Sequence, residues 1–412
     1  MKIYAASYLL PVEGPPIAGG AIAVEEGEIV AVGTLDLLSA VCPGEVTEFP
    51  GCVIMPGLVN AHSHLELTHF PAWKLRHGME YAPRGFVDWL VQVVKIKRGV
   101  TEEELGHSVR EGLRISRESG TTLLGEILTN RTLIPLYAES TLAGRLYFEA
   151  VGHDSAGSAH LLADLERAAG RSSGGFLPGL SPHSAYTLSE SFARELGGRA
   201  RELFLPCAVH LAESAEESSF LFDGTGALAE TFYPFVRWEQ YLPPARKTTP
   251  VRYLDRLGLL TPGMAAVHCV HVTPADAELL RDREVSIILC PRSNDRLDVG
   301  TAPAHLFRNL GIPLAFGTDS LASNDSLSLF DEARFAAELW PGLFPPEELL
   351  YMMTLGGARA LGMDDVAGSL VPGKRADFIV VEVAGRPEQL PERIIGEGKI
   401  VEVCTAGESL PL

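Results

Sequence analysis

Apolar positions along the 412-residue chain follow two regimes. At both ends they alternate with polar ones, the two-residue period of half-buried strands. Residues 21–33 (AIAVEEGEIVAVG) form two short alternating segments around a Glu26–Gly27 turn. Residues 368–383 (GSLVPGKRADFIVVEV) run from a Pro-Gly turn into a strand, and residues 398–410 (GKIVEVCTAGESL) predict a further hairpin. Neither end has enough strands to close a core of its own. Together they predict one small β-sandwich, residues 1–55 plus 366–412, interrupted by the middle of the chain.

In the middle the apolar residues come in short unbroken runs. These lie at 53–64, 121–128, 145–152, 175–183, 204–214, 264–272, 285–294 and 312–320. Helix-patterned segments separate most of them, as in residues 101–120 (TEEELGHSVREGLRISRESG), where Thr101 and Glu104 form a capping box. Eight such units over roughly 300 residues predict an α/β fold, a (β/α)8 TIM barrel spanning 56–365. A doubly wound open sheet is disfavoured, since no G-x-G-x-x-G or phosphate-binding loop follows any run.

In a barrel, chemistry sits at the C-terminal strand ends. His62 and His64 end the first run, His183 the fourth, His210 and Glu213 the fifth, His268 and His271 the sixth, and Asp319 the eighth. His62 and His64, two residues apart, share one face of an extended chain. With His210 and Asp319 they make a three-histidine, one-aspartate set suited to a divalent metal with a position left for water. A second metal would need a bridging carboxylate, commonly a carbamylated lysine near the fourth strand, yet no lysine occurs between Lys97 and Lys247. One metal is therefore expected, Zn2+ first and Fe2+ as the alternative.

Glu213, three residues beyond His210, is the expected proton shuttle. His268 and His271, three apart, cannot share a strand face. His268, nearer the strand, takes the electrophilic role, while His271 stays outside. Asp319 both binds the metal and accepts a proton. With water made nucleophilic near neutral pH, the expected reaction is hydrolysis at a C–N bond.

The bulk composition narrows the partners. A net charge of −19 excludes nucleic acid or an anionic membrane surface as the main partner. No apolar run approaches the roughly 18 residues of a membrane span. Lys2 before an apolar stretch mimics a signal peptide, but Tyr4, Tyr8, Pro11 and Glu13 interrupt it, and the segment reads as mature structure. Six scattered cysteines without C-x-x-C pairs suggest reduced thiols in a cytoplasmic protein. The expected partner is a small molecule, and a homodimer is left open.

Several segments resemble signatures of the amidohydrolase superfamily, in its cytosine deaminase-like branch. They are PGLVNAHSHLEL, HLAES, HCVHV, CPRSN, GTDSLASNDSLSL and GSLVPGKRADFIVV. The resemblance covers nearly the whole chain. It implies one metal on His62, His64, His210 and Asp319, with Glu213 and His268 catalytic. SPHSAYTLS, with His183, resembles the substrate-binding segment of S-adenosylhomocysteine and methylthioadenosine deaminases. FVDWLVQVVKIKR, with Arg292 in CPRSN, looks more like the aminodeoxyfutalosine deaminases of menaquinone biosynthesis, which act on a purine nucleoside bearing a benzoate. The resemblance thus implies a purine-type substrate. Guanine deaminases and triazine-type chlorohydrolases share the fold as alternatives, and a non-catalytic scaffold is a remote one. For the carboxylate, Arg84, Arg145 and Arg292 are candidates. Trp89 and Phe86 are either a stacking wall or helix core, Glu66 either a substrate ligand or a support for His64, and Ser320 adjoins Asp319 as a further substrate contact.

Overall fold

The computed structural model describes residues 1–79, 82–153, 159–164, 167 and 174–410. Each unbroken apolar run forms a parallel strand: β1 Leu58–Ser63, β2 Thr121–Leu128, β3 Ala143–Ala150, β4 Gly175–Pro182, β5 Ala208–Leu211, β6 Ala265–His268, β7 Ser286–Leu289 and β8 Leu314–Phe316. β1 to β4 pair in sequence order as one sheet, and β5 to β8 as another. Every residue of β2 is buried, as expected where both faces of a parallel sheet are covered.

Isolated parallel bridges link the two sheets along both edges. Leu180 pairs with Cys207 and Ser184 with His210 on one side, and Ser63 pairs with Asp319 on the other. At that second seam the Thr318 and Asp319 amides donate to the His62 carbonyl at 3.1 and 3.0 Å. Asn60 Nδ2 donates to Thr318 Oγ1 at 2.7 Å, while Asn60 Oδ1 accepts from the Thr318 amide at 3.1 Å. Val59, Ala61, Leu123, Ile127, Tyr147, Ala208, Val267, Ile288 and Ala315 form one buried cluster from these strands. The outward-facing residues join the larger cluster under the helices. The helix Glu102–Glu118 begins at the capping box expected of Thr101 and Glu104.

The chain ends form one mixed sheet. Its order is Glu408–Leu410, Lys399–Thr405, Phe378–Glu382, Glu45–Pro56, Lys2–Leu9, Gly20–Glu25, Glu28–Thr34, with Ile17–Ala18 pairing beside Lys2–Leu9. The join is Glu45–Pro56, parallel to Lys2–Leu9 and antiparallel to Phe378–Glu382. Both expected hairpins are present. Their turns, Glu26–Gly27 and Ala406–Gly407, carry consecutive left-handed residues (φ 52° and 85°, 48° and 73°), the requirement of a type I′ turn. Side chains pack across the sheet: the Tyr4 and Phe378 rings, one strand apart, lie 4.9 Å from each other, and Tyr4 Oη donates to the Gly407 carbonyl at 3.0 Å. All six cysteines are free. Among the described residues, no helix is long and apolar enough to cross a membrane.

Candidate active site

The strand ends converge on one point. His64 Nε2 lies 3.2 Å from His210 Nε2, and Asp319 Oδ1 lies 3.7 Å from His62 Nε2 and 3.6 Å from His64 Nε2. The His62 ring centre is 5.0 Å from that of His210 and 5.9 Å from that of His268. Ligand atoms of His62, His64 and Asp319 lie within 4.8 Å of one another, as do those of His62, His210 and His268.

Local backbone irregularities aim these side chains. Ala61 belongs to the interior cluster with Val59, but Ser63 Oγ turns to Glu126 Oε2 at 2.6 Å. The two-residue alternation therefore breaks between them, and the β1–β2 register shifts at the same place. That break presents His62 and His64 together at the strand end. His268 and Asp319 both take left-handed backbone conformations (φ 71° and 58°), a region costly for non-glycine residues.

Surrounding groups fix the orientation of each ring. His210 Nδ1 donates to the His183 carbonyl at 3.0 Å, and His268 Nδ1 bonds Asn294 Oδ1 at 2.9 Å. Both leave an Nε2 lone pair facing the cluster. Asp319 Oδ2 accepts from Ser293 and Ser323 hydroxyls, each at 2.7 Å, so Oδ1 is the oxygen that faces the imidazoles. Burial pushes the His62 imidazole down to about 4 and lowers those of His64 and His268. Burial raises the Asp319 carboxyl, yet the facing imidazoles of His62, His64 and His268 outweigh it and hold it well below the usual range. Neutral imidazoles beside an ionised carboxylate are the protonation states a cation requires. Among the described residues, both ring nitrogens of His62 and the Nε2 of His268 are buried without a hydrogen-bond partner. Buried polar atoms left unpaired are costly, so this donor set fits a divalent metal.

Opposite this set, Glu213 Oε1 stands 3.6 Å from His268 Nε2. Burial pushes its carboxyl up to about 8. A cavity of about 380 Å3 opens beside the cluster and is lined by His64, His183, His210, Glu213, His268, Asp319, Ser320 and Trp89, among others. Trp89 Nε1 donates to the Ala322 carbonyl at 3.0 Å, which holds the helix Phe86–Lys97 across the opening. His271 lies apart, its Nε2 bonded to the Val299 carbonyl.

Three of the expected substrate contacts lie outside the cavity lining. Arg145 lies near the start of β3 and donates to the Leu361 and Pro178 carbonyls at 2.9 and 2.7 Å, so it braces the end away from the cluster. Arg292 is held by Asp325, Asn324 and Glu332. Glu66 accepts from the Thr129 and Asn130 amides and from Lys97 Nζ, which uses both of its oxygens. None of the three lines the cavity, and neither does exposed Arg84.

Sequence reasoning missed Lys97, Arg98, Glu149, Phe232 and Trp238 in the cavity wall, and Glu126, which clamps Ser63, the Leu65 amide and Tyr137 around His64. Glu149 ends β3 and was findable by the strand-end rule. Glu126, near the end of β2, was open to the same rule, whereas Lys97, Arg98, Phe232 and Trp238 come from helices and loops folded over the opening, which carry no local signal.

Residues 53–409 match the Amidohydrolase family. The chain is 33% identical over 362 residues to an aminodeoxyfutalosine deaminase of Deinococcus radiodurans, covering 85% of this chain and 82% of that protein. It is 32% identical over 382 residues to a 5-methylthioadenosine/S-adenosylhomocysteine deaminase of Nitratidesulfovibrio vulgaris, covering 89% and 80%. Its fold is similar to the crystal structure of an adenosine deaminase from Xanthomonas campestris with bound zinc. There the TM-score is 0.81 and the identity 26%, over 100% of this chain and 93% of that one.

Proposed function

The chain belongs to the amidohydrolase family, and on that premise we propose that it is a metal-dependent hydrolytic deaminase of adenosine-type nucleosides. In this reading its substrate is 6-amino-6-deoxyfutalosine and its products are futalosine and ammonia. The observation that carries the reading is the cluster itself: four unpaired or cluster-facing ligand atoms, with a protonatable Glu213–His268 pair beside them at the head of a cavity. The substrate rests on similarity to the Deinococcus radiodurans enzyme. In the same reading the two parallel sheets form one closed (β/α)8 barrel over 56–365. The terminal sheet, 1–55 plus 366–412, serves as the small β-sandwich.

His62, His64 and His210, through their ring nitrogens, and Asp319, through Oδ1, would hold one divalent cation, Zn2+ in preference to Fe2+. When bound, that cation supplies Lewis acidity and makes water nucleophilic near neutral pH. Glu213 takes a proton from the attacking water and gives it to the ring nitrogen next to the amino-bearing carbon. His268, its Nδ1 held by Asn294, accepts a hydrogen bond from the attacking water through Nε2 and orients it toward that carbon. Asp319 accepts the second water proton and returns it to the departing amine, which leaves as ammonia. His183, Trp89 and Ser320 line the space for the purine.

The test is ammonia release by metal-replete protein from 6-amino-6-deoxyfutalosine, S-adenosylhomocysteine, methylthioadenosine, adenosine and guanine. Fastest turnover of the first is expected. Fastest turnover of S-adenosylhomocysteine or methylthioadenosine would replace the substrate, a second reading favoured by the Nitratidesulfovibrio vulgaris relative. Silence on every purine would overturn the function.

A further inference from the structure

Three carboxylates line the cavity: Glu149, Glu213 and Asp319. The last two face the imidazole cluster, and the proposed chemistry employs both. Glu149 takes no part in it. It stands at the C-terminal end of β3, its side chain only 9% exposed. Its Oε2 accepts from Thr129 Oγ1 at 3.1 Å, and Thr129 Oγ1 accepts from Lys97 Nζ at 3.2 Å. Lys97 has its charge partner in Glu66, at 3.3 Å, so it is not committed to Glu149. Glu149 Oε1 has no hydrogen bond among the described residues. The neutral His183 imidazole has its Nε2 4.0 Å away, beyond bonding reach.

A carboxylate oxygen that lines the cavity and takes no protein donor is free to accept from a ligand that brings donors. An ionised carboxylate only accepts, and its two oxygens lie in one plane at a spacing that two adjacent hydroxyls can meet. Glu149 also sits at a suitable remove from the reacting end. Its neighbour His183 packs beside His210, ring centres 4.8 Å apart, so one imidazole separates Glu149 from the cluster. The wall formed by Phe232, Val236 and Trp238 is apolar or aromatic and cannot take two hydroxyls.

We propose that Glu149 receives the 2′,3′-cis-diol of the substrate's ribose and makes this site selective for ribonucleosides. The inference rests on the nucleoside reading above and adds a specificity-determining residue to it. Oε1 accepts one hydroxyl and the remaining lone pair of Oε2 the other, while Thr129 holds the carboxylate in place.

The test pairs binding with turnover. Calorimetry on metal-loaded protein measures inosine against 2′,3′-dideoxyinosine, in the native chain, Glu149→Gln and Glu149→Ala. Native protein is expected to prefer inosine by about 10- to 100-fold, as hydrogen bonds to a charged group allow. In Glu149→Ala the ratio should fall towards one while dideoxyinosine binding shifts by less than about threefold; Glu149→Gln should lie between. An unchanged ratio in Glu149→Ala overturns the proposal, as does a native protein without preference or one that binds neither nucleoside. Equal losses for both nucleosides would mean that Glu149 only orients His183, and would also overturn it. Ammonia release from adenosine and 2′,3′-dideoxyadenosine separates the two readings. No turnover with an intact inosine preference sinks the deaminase and leaves diol recognition standing. Turnover without preference does the reverse.

Discussion

His210 Nδ1 and the carbonyl oxygen of His183 lie 3.0 Å apart, and this single contact decides which nitrogen of His210 looks into the site. A carbonyl only accepts, so Nδ1 carries the proton and Nε2 keeps its lone pair. The segment ending β4 therefore orients a ligand of β5, across the seam between the two sheets. His210→Ala removes that ligand. Metal content after dialysis should drop from about one ion per chain to a small fraction. Full retention would show that the ligand set is misassigned.

Glu213 is proposed to move protons without touching the cation. Glu213→Gln keeps the shape of the side chain and should bind metal normally. Its ammonia-release rate should fall by roughly 10²- to 10⁴-fold, the usual contribution of a general acid–base. Activity within a factor of a few of native would take Glu213 out of the mechanism.

Gly317 packs against His62 so closely that an added Cβ would meet His62 Cβ at 2.6 Å and His62 N at 3.0 Å. Gly317→Ala must therefore push β8 and β1 apart at their seam. A stability loss of about 1 to 3 kcal/mol is expected from overpacking, together with weaker metal binding. The two are read by denaturant titration and by competition with a chelator. Native affinity in a stable Gly317→Ala protein would mean that His62 can shift freely, against the packing seen here.

Glu217 offers a check through pH. Burial pushes its carboxyl from the ordinary 4.5 up to about 8, and no cation compensates it among the described residues. Between these values the unfolded chain has released the proton that the folded chain still holds. Stability should fall as pH rises from about 4.5 to about 8 and then level off. Glu217→Gln removes that slope, so its advantage over the native chain should grow across the window by up to a few kcal/mol. Urea midpoints at pH 5 and pH 8 measure it. A pH-independent difference would mean that Glu217 is ionised in the fold.

The sequence by itself determined the eight parallel strands, the hairpins of the chain ends and the convergence of His62, His64, His210, His268 and Asp319. These depend on local pattern: unbroken apolar runs make buried strands, and a polar residue at the end of such a run must lie at the sheet's edge. What only the tertiary structure decided was the company each side chain keeps. The sequence offered Arg145, Arg292 and Glu66 as substrate contacts without naming their partners, and the Leu361 carbonyl, Asp325 and the Thr129 amide, each distant in the chain, occupy them. Lys97, Phe232 and Trp238 entered the cavity wall by long-range folding that no periodicity records. Strand identity is set by neighbours a few residues away. Whether a charged group is spent or available is set by partners tens to hundreds of residues away, and only packing brings those together.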